Sequence, residues 1–169
     1  MKSRKLTIAL FIFYLLVLSW IILLKTGFSF TSLETVRSIN LIPFGKMLIL
    51  NGSPSYNEII YNGLVFVPFG VFTGMLGKKH TFVKLVVPTM LLSLFFEAIQ
   101  YIFAIGVSDI TDLMANTLGG ILGIGIFFIF HKICKEKVYK VLNITALILG
   151  FLLVAALAVI RVFFLRNIG

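Results

Sequence analysis

The sequence predicts an all-α, polytopic membrane protein of about five transmembrane helices with a cytoplasmic N-terminus. Three observations predict it. First, 60% of the 169 residues are hydrophobic before Gly is counted, and only 12% are charged. Soluble domains are about half apolar with Gly included and about a quarter charged, and a chain this short has too little interior to hide the excess from water. Second, the apolar residues fall into five runs, each close to the ~20 residues that cross a bilayer as a helix. Third, 15 Lys and Arg face six Asp and Glu, and the basic residues punctuate the apolar runs. A charge of +9 would otherwise suggest nucleic acid, but basic residues gathered in connections set membrane topology, so no nucleic-acid partner is expected. The apolar excess excludes a soluble enzyme, a disordered tail and a disulfide-stapled secreted domain. The single Cys134 allows no internal disulfide.

The first run, residues 6–24, carries no charge. Its length exceeds the ~7–15 apolar residues of a secretory signal, and Lys25-Thr26-Gly27 is a poor cleavage site. It reads as an anchor. Residues 38–50 form an amphipathic stretch suited to the outer membrane interface, with Pro43 denying it a continuous helix. The second run, 57–76, is amphipathic up to Asn62 and apolar after it. The third, 81–105, holds Lys84 near its start and Glu97 inside, and the fourth, 111–130, begins with Asp112 and Asn116. The fifth, 141–165, is apolar apart from Asn143 and Arg161. Pro68 and Pro88 are kinks that a membrane helix tolerates.

Orientation follows from the connections. Lys2, Arg4 and Lys5 precede the first run, Lys78, Lys79 and Lys84 flank the turn between the second and third, and Lys132, Lys135, Lys137 and Lys140 join the last two. These ten stand against Lys25, Arg37, Lys46, Arg161 and Arg166 on the other side. The excess places the N-terminus in the cytoplasm and the C-terminus outside. Residues 26–56 then form an extracytoplasmic connection, and residues 104–111 an outer turn. Both cytoplasmic connections are too short for a catalytic domain, so chemistry belongs in the membrane or at its outer face.

Glu97 needs explaining, because a charge at a helix centre is penalised by roughly 2.5–3.5 kcal/mol on insertion scales and intramembrane acids face bundle interiors or wet cavities. It lies about 12 Å below the outer boundary at 1.5 Å per residue. Ser93, Gln100 and Tyr101 share its helix face. On the fourth run Asp112 and Asn116 are one turn apart, followed by Gly119, Gly120 and Gly123, whose spacing admits the backbone of another helix. The short turn between the third and fourth runs lets the two polar faces meet. Glu58 and Asn62 repeat the acid-x-x-x-Asn pattern on the second run, a hint of a parallel repeat. Arg161 is the natural counter-ion for Glu97 or Asp112. Each feature also has a plainer reading: acid–amide pairs as bundle glue, Arg161 as an anchor snorkelling to the headgroups, the glycines as packing residues. His80 and His131 lie at cytoplasmic ends and form no HExxH pair, so no metal site is expected around them, and no cofactor is expected.

Asn40-Leu41-Ile42-Pro43-Phe44 resembles a signature of the VanZ-like family, as does Asn62 followed by Phe66-Val67-Pro68-Phe69-Gly70. The stretch Glu97-x-x-Gln100, Ser108-Asp109-x-x-Asp112, Asn116-Thr117-Leu118-Gly119 resembles it most closely. The chain is therefore similar to that family as one membrane domain over residues 1–169, most strongly over 35–130. Many relatives place an Arg before the Asp pair, where this chain has Gly106-Val107. The resemblance implies a multipass cell-membrane protein of a family named for resistance to teicoplanin, a lipoglycopeptide.

Three functions stay open. The first is a non-catalytic envelope protein that lowers lipoglycopeptide access to its target. Its polar site of Glu97, Gln100, Asp112, Asn116, Asn62 and Arg161 would bind a lipid-linked cell-wall precursor or the lipoglycopeptide, with membrane lipids as neighbours. The second is an intramembrane enzyme on a lipid-linked substrate, with Glu97 as general acid/base, Asp112 or Asp109 as its partner or a metal ligand, and Gln100 and Asn116 as orienting groups. The third, ranked last, is a small ion- or proton-coupled transporter.

Overall fold

The computed structural model describes residues 2–23, 38–45, 49–50, 53–54, 56–77, 81–104 and 107–168, with side chains described up to residue 159 in the last helix. Among the described residues five α-helices carry the fold: α1 (Lys2–Leu23), α2 (Asn57–Leu76), α3 (Phe82–Phe103), α4 (Ile110–Cys134) and α5 (Val138–Ile168). By length and composition the described residues hold four helical stretches able to cross a membrane, the last from Ile110 to Val159 over 50 residues. A 3-10 turn at Lys135–Lys137 divides that stretch into α4 and α5. Lys135 there takes a positive φ of 48°, which reverses the chain so that α5 returns against α4 and α1. The five runs read from the sequence correspond to these helices. The all-α polytopic fold thus holds, with short strands added that the apolar pattern did not predict.

Those strands lie in the connections. β1 (Ser38–Asn40) pairs in parallel with β4 (Val107–Asp109), in the register Ser38 to Val107, Ile39 to Ser108 and Asn40 to Asp109. β2 (Ile49–Leu50) and β3 (Ser53–Pro54) form a separate antiparallel pair. The described residues of the amphipathic segment, 38–45 and 49–50, are therefore strand and turn, in keeping with Pro43. The β1–β4 pair sits at the end of the bundle where α3 finishes and α4 starts. We call it the capped end.

Each helix end has a local cause. α3 stops at Ala104, whose left-handed φ of 53° lets its N–H reach the carbonyls of Gln100 and Tyr101. α4 starts at Asp109, an N-cap whose side chain accepts from the Thr111 N–H. α2 continues through Pro68, whose missing N–H loosens the preceding turn. The Tyr14 hydroxyl of α1 donates to the nearby Val65 carbonyl at 2.7 Å, a neighbouring-helix bond of the sort that makes membrane prolines tolerable.

The tightest packing is between α2 and α4, which run parallel. A methyl group on Gly119 would collide with the Gly63 carbonyl, one on Gly70 with the Gly120 carbonyl, and one on Gly123 with the Val67 carbonyl. Only hydrogen fits at these crossings, so the two backbones touch directly. The glycine spacing read in α4 is a packing seam, and α2 is its partner. Phe66 is buried beside Phe69 and Phe96, and Phe72, Met75 and Phe127 pack with Val138 and Leu142 nearer the other end. Thr7 and Asn143 share a buried hydrogen bond of 3.0 Å that ties α1 to α5. Outward, Leu16, Leu122, Ile133 and Phe151 are exposed, as a lipid-facing belt requires.

The described charges are unevenly placed along the bundle, with Glu136 the one described acid at the basic end. Arg4, Lys5, Lys84, Lys132, Lys135, Lys137 and Lys140 are exposed at the end opposite the cap, while Glu58, Glu97, Asp109 and Asp112 lie towards the capped end.

Candidate functional site

Asp109 is the junction of the capped end. Its backbone is extended, at φ −125° and ψ 126°, because it both ends β4 and caps α4. Oδ1 accepts from the Thr111 N–H at 2.7 Å, and Oδ2 accepts from Asn40 Nδ2 at 2.9 Å. Its own N–H donates to Glu97 Oε2 at 2.8 Å. One residue thereby joins a helix terminus, a strand from a distant part of the chain and the acid inside α3.

The Asn40 side chain also shapes the loop that follows. Its Oδ1 accepts from the Ile42 N–H at 3.2 Å, a local turn that Asn forms readily. The Gly45 N–H then bonds to the Ile42 carbonyl at 3.0 Å, closing a turn with Pro43 second and Phe44 third. Phe44 has φ of 61°, a region that costs an L-residue about 1–2 kcal/mol, and its N–H donates to Thr111 Oγ1 at 3.0 Å. The bonds to Asp109 and Thr111 hold this turn over the first turn of α4. Leu41 and Ile42 stay exposed on it.

Glu97 lies beneath, only 6% exposed. The Ser108 hydroxyl donates to its carboxylate, and Asp112 and Asp109 act on it electrostatically. Asp112 is half-buried in the first turn of α4, where the helix dipole favours negative charge. Three carboxyl groups are thus gathered at one helix junction. Among the described residues no group of three or more His, Cys, Asp or Glu is arranged to hold a metal ion.

Deeper in the bundle, Asn116 Nδ2 donates to Ser93 Oγ at 2.9 Å, and both residues are buried. Here the polar faces of the third and fourth spans meet. Asn62 is buried in α2, next to Gly63, where a methyl group would stand 3.3 Å from the Ala115 carbonyl oxygen. Asn62 and Asn116 therefore sit at one level of the parallel α2–α4 pair. Gln100 is buried but its amide reaches towards the Ile22 carbonyl of α1 at 3.4 Å, so it helps finish α1. Arg161 belongs to α5, and its side chain lies outside the described residues, as do Gly106 and the connection around Lys25 and Arg37.

Glu97, Asp109, Asp112 and Asn116 come together at the α3–α4 junction, with Asn62 alongside. Asn40 and Ser108, quoted only as motif letters in the sequence, hold the carboxylates directly. Thr111 gave no functional signal beyond its place in the N-cap pattern of Asp109.

The chain is similar to known proteins over this whole region. A family model described as VanZ/LLP1 matches residues 11–131, from α1 through most of α4. Protein VanZ of Enterococcus faecium is 35% identical over 150 residues, covering 88% of each chain. No solved structure matches.

Proposed function

The chain belongs to the VanZ/LLP1 family, and from that premise we propose that it is a non-catalytic protein of the bacterial cell membrane that lowers susceptibility to lipoglycopeptides such as teicoplanin. The capped end faces outward, and its polar site engages a lipid-linked cell-wall precursor or the lipoglycopeptide itself. The observation that carries this reading is the hydrogen-bonded junction of Asn40, Asp109 and Glu97. It holds carboxylates at the end of the bundle opposite its exposed lysines, and lysines favour the cytoplasmic side. Lipid-linked precursors and lipoglycopeptides both offer donors to a carboxylate next to an apolar tail, and the exposed Leu41 and Ile42 sit beside such a site. Asn62, Asp112 and Asn116 extend the polar surface, with Gln100 as an amide at its margin and Arg161 as its cation.

A second reading, an intramembrane acid/base enzyme on a lipid-linked envelope substrate, draws on the electrostatic contact of Glu97 with Asp112. Paired carboxyl groups in an apolar setting divide acid and base roles. One experiment separates the two. The chain is expressed in a teicoplanin-susceptible host, and susceptibility, antibiotic binding and the mass spectra of envelope lipids and precursors are compared with an empty-vector strain. Lowered susceptibility with unchanged precursor chemistry supports the binding reading. A new covalent change in a lipid-linked precursor supports the enzyme. No change in any of the three measurements overturns both.

A further inference from the structure

Below the carboxylates, α3 and α4 face each other through a file of polar and small residues. On α3 the file is Glu97, Ser93 and Thr89, each one turn deeper; on α4 it is Asp112, Asn116 and Gly120 at the same spacing. The helices run antiparallel here, so Ser93 meets Asn116 through the 2.9 Å bond, and Thr89 meets Gly120, where a methyl group would collide with the Thr89 side chain. Thr89 is therefore aimed at α4.

Two atoms in this file have no hydrogen-bond partner among the described residues: Thr89 Oγ1 and Asn116 Oδ1, on residues 0% and 4% exposed. Neither is an ordinary helix hydroxyl or amide. Ser19 and Thr117 turn their hydroxyls back onto the carbonyls four residues earlier, at 2.8 and 2.7 Å. Thr89 forgoes that bond and presents its hydroxyl to the interface. Buried polar groups are paired, with water where protein supplies no partner.

We propose that the α3–α4 interface beneath Glu97 is a water-binding site, in which an ordered water bridges Asn116 Oδ1 and Thr89 Oγ1. Thr89 lies one helical turn below Ser93 on the same face of α3, so its hydroxyl and the Asn116 amide held at Ser93 occupy neighbouring levels of one interface. Ser93 Oγ accepts from Asn116 and keeps its own hydrogen to donate, giving the water a third partner within the usual two to four. Gly120 lets the Thr89 side chain stand directly against α4, since a methyl group there would collide with it, so Thr89 Oγ1 is held at the interface. The polar region thereby runs about 12 Å deeper than Glu97, from residue 97 to residue 89. A ligand hydroxyl entering from the capped end would find an exchangeable hydrogen-bond partner under the carboxylate.

The inference stands whether the site binds or catalyses, because hydration is read without antibiotic or substrate. Protein labelled with ¹³C and ¹⁵N in lipid bilayers is measured by water-edited solid-state NMR. The Thr89 and Asn116 side chains should gain water magnetisation several-fold faster than Phe66 and Ile124, which are equally buried and apolar. Build-up no faster than at Phe66 and Ile124 would overturn the proposal. Thr89→Val, which keeps the shape and removes the hydroxyl, adds a second reading. A slowed build-up at Asn116 with a lowered thermal midpoint supports the bridging water, whereas a raised midpoint with unchanged Asn116 build-up overturns it.

Discussion

The backbone N–H of Asp109 donates to Glu97 Oε2 at 2.8 Å, fixing the start of α4 to the acid inside α3. A main-chain donor can be met by a carboxylate or an amide oxygen, so shape and charge at Glu97 are separable by substitution. Glu97→Gln keeps an acceptor and should preserve membrane expression and folding. Glu97→Ala leaves a donor unmet and should cost about 1–3 kcal/mol, read as a lowered midpoint of detergent unfolding. If the carboxylates serve function, Glu97→Gln and Asp112→Asn should nevertheless abolish any protection against teicoplanin in a susceptibility assay. Wild-type protection in both would reduce the acids to structural groups.

The Asn40–Asp109 bond makes a second prediction, about coupling. Asp109→Ala removes an N-cap, worth about 0.5–2 kcal/mol, together with the acceptor for Asn40. Asn40→Ala removes its own bond to Asp109 and its local turn with Ile42. Because one bond is shared, the double variant should lose less stability than the sum of the single losses. Strict additivity in unfolding midpoints would mean that the strand pair and the helix cap stabilise the fold independently.

These two residues also mark how far the sequence could be read. The spans were legible because each is a long apolar run whose ends are polar or basic, and the acids stood out because lipid makes charge costly. β1 and β4 were not legible. Three residues are too few for a period-2 pattern to show, and their parallel pairing sets residues 69 apart opposite each other, Asn40 against Asp109. Asn40 could be noticed as a motif letter, but its partner could not. The Gly119 and Gly123 spacing announced a close helix contact. That α2 supplies the other backbone required the fold: its Gly70-x-x-x-Gly74 pair has the same spacing, but Gly74 meets the Phe127 ring, and the backbone contacts fall at Gly63, Val67 and Gly70. The opposite holds for Gln100. Its place on the Glu97 helix face suggested the polar site, but its amide is drawn to the open carbonyls at the end of α1.

The α2–α4 seam predicts sharply unequal effects of the same substitution. Gly119→Ala, Gly70→Ala and Gly123→Ala each force a methyl group into a facing backbone carbonyl and should lower folded yield severely. Gly125→Ala meets nothing within 4 Å and should be neutral or stabilising by up to about 1 kcal/mol through helix propensity. Size-exclusion profiles of the purified variants distinguish the cases. Equal tolerance at Gly119 and Gly125 would contradict the direct backbone contact.

The orientation proposed for the capped end is testable by labelling. In a Cys134→Ser background, cysteines at Ser32 and Ser53 should react with an impermeant thiol reagent in intact cells, and a cysteine at Lys137 should react only after lysis. Lys137 is the better probe of the basic turn because Lys135 carries the left-handed φ, where a substitution risks disturbing the reversal. Labelling of Lys137→Cys in intact cells would invert the protein and remove the outward-facing site.

The last prediction concerns Arg161. α1 and α5 run parallel, with Thr7 bonded to Asn143 and Phe13 placed against Gly150. Continuing that register brings residue 161 of α5 level with the end of α1, where the Ile22 carbonyl meets Gln100 of α3. The acids Glu97 and Asp112 lie towards this same end, and an unpaired charge inside a bilayer is costly. The chain also has Gly106-Val107 where the family resemblance leads one to expect an arginine before the Asp pair. We therefore expect Arg161 to serve as the site's cation. Removing one member of a buried pair costs more than removing both, because the survivor is left uncompensated. Arg161→Gln should accordingly lower folded yield, and adding Glu97→Gln or Asp112→Asn should restore part of it. Double variants whose losses simply add would leave Arg161 as an interfacial anchor, its long side chain carrying the charge out to the headgroups.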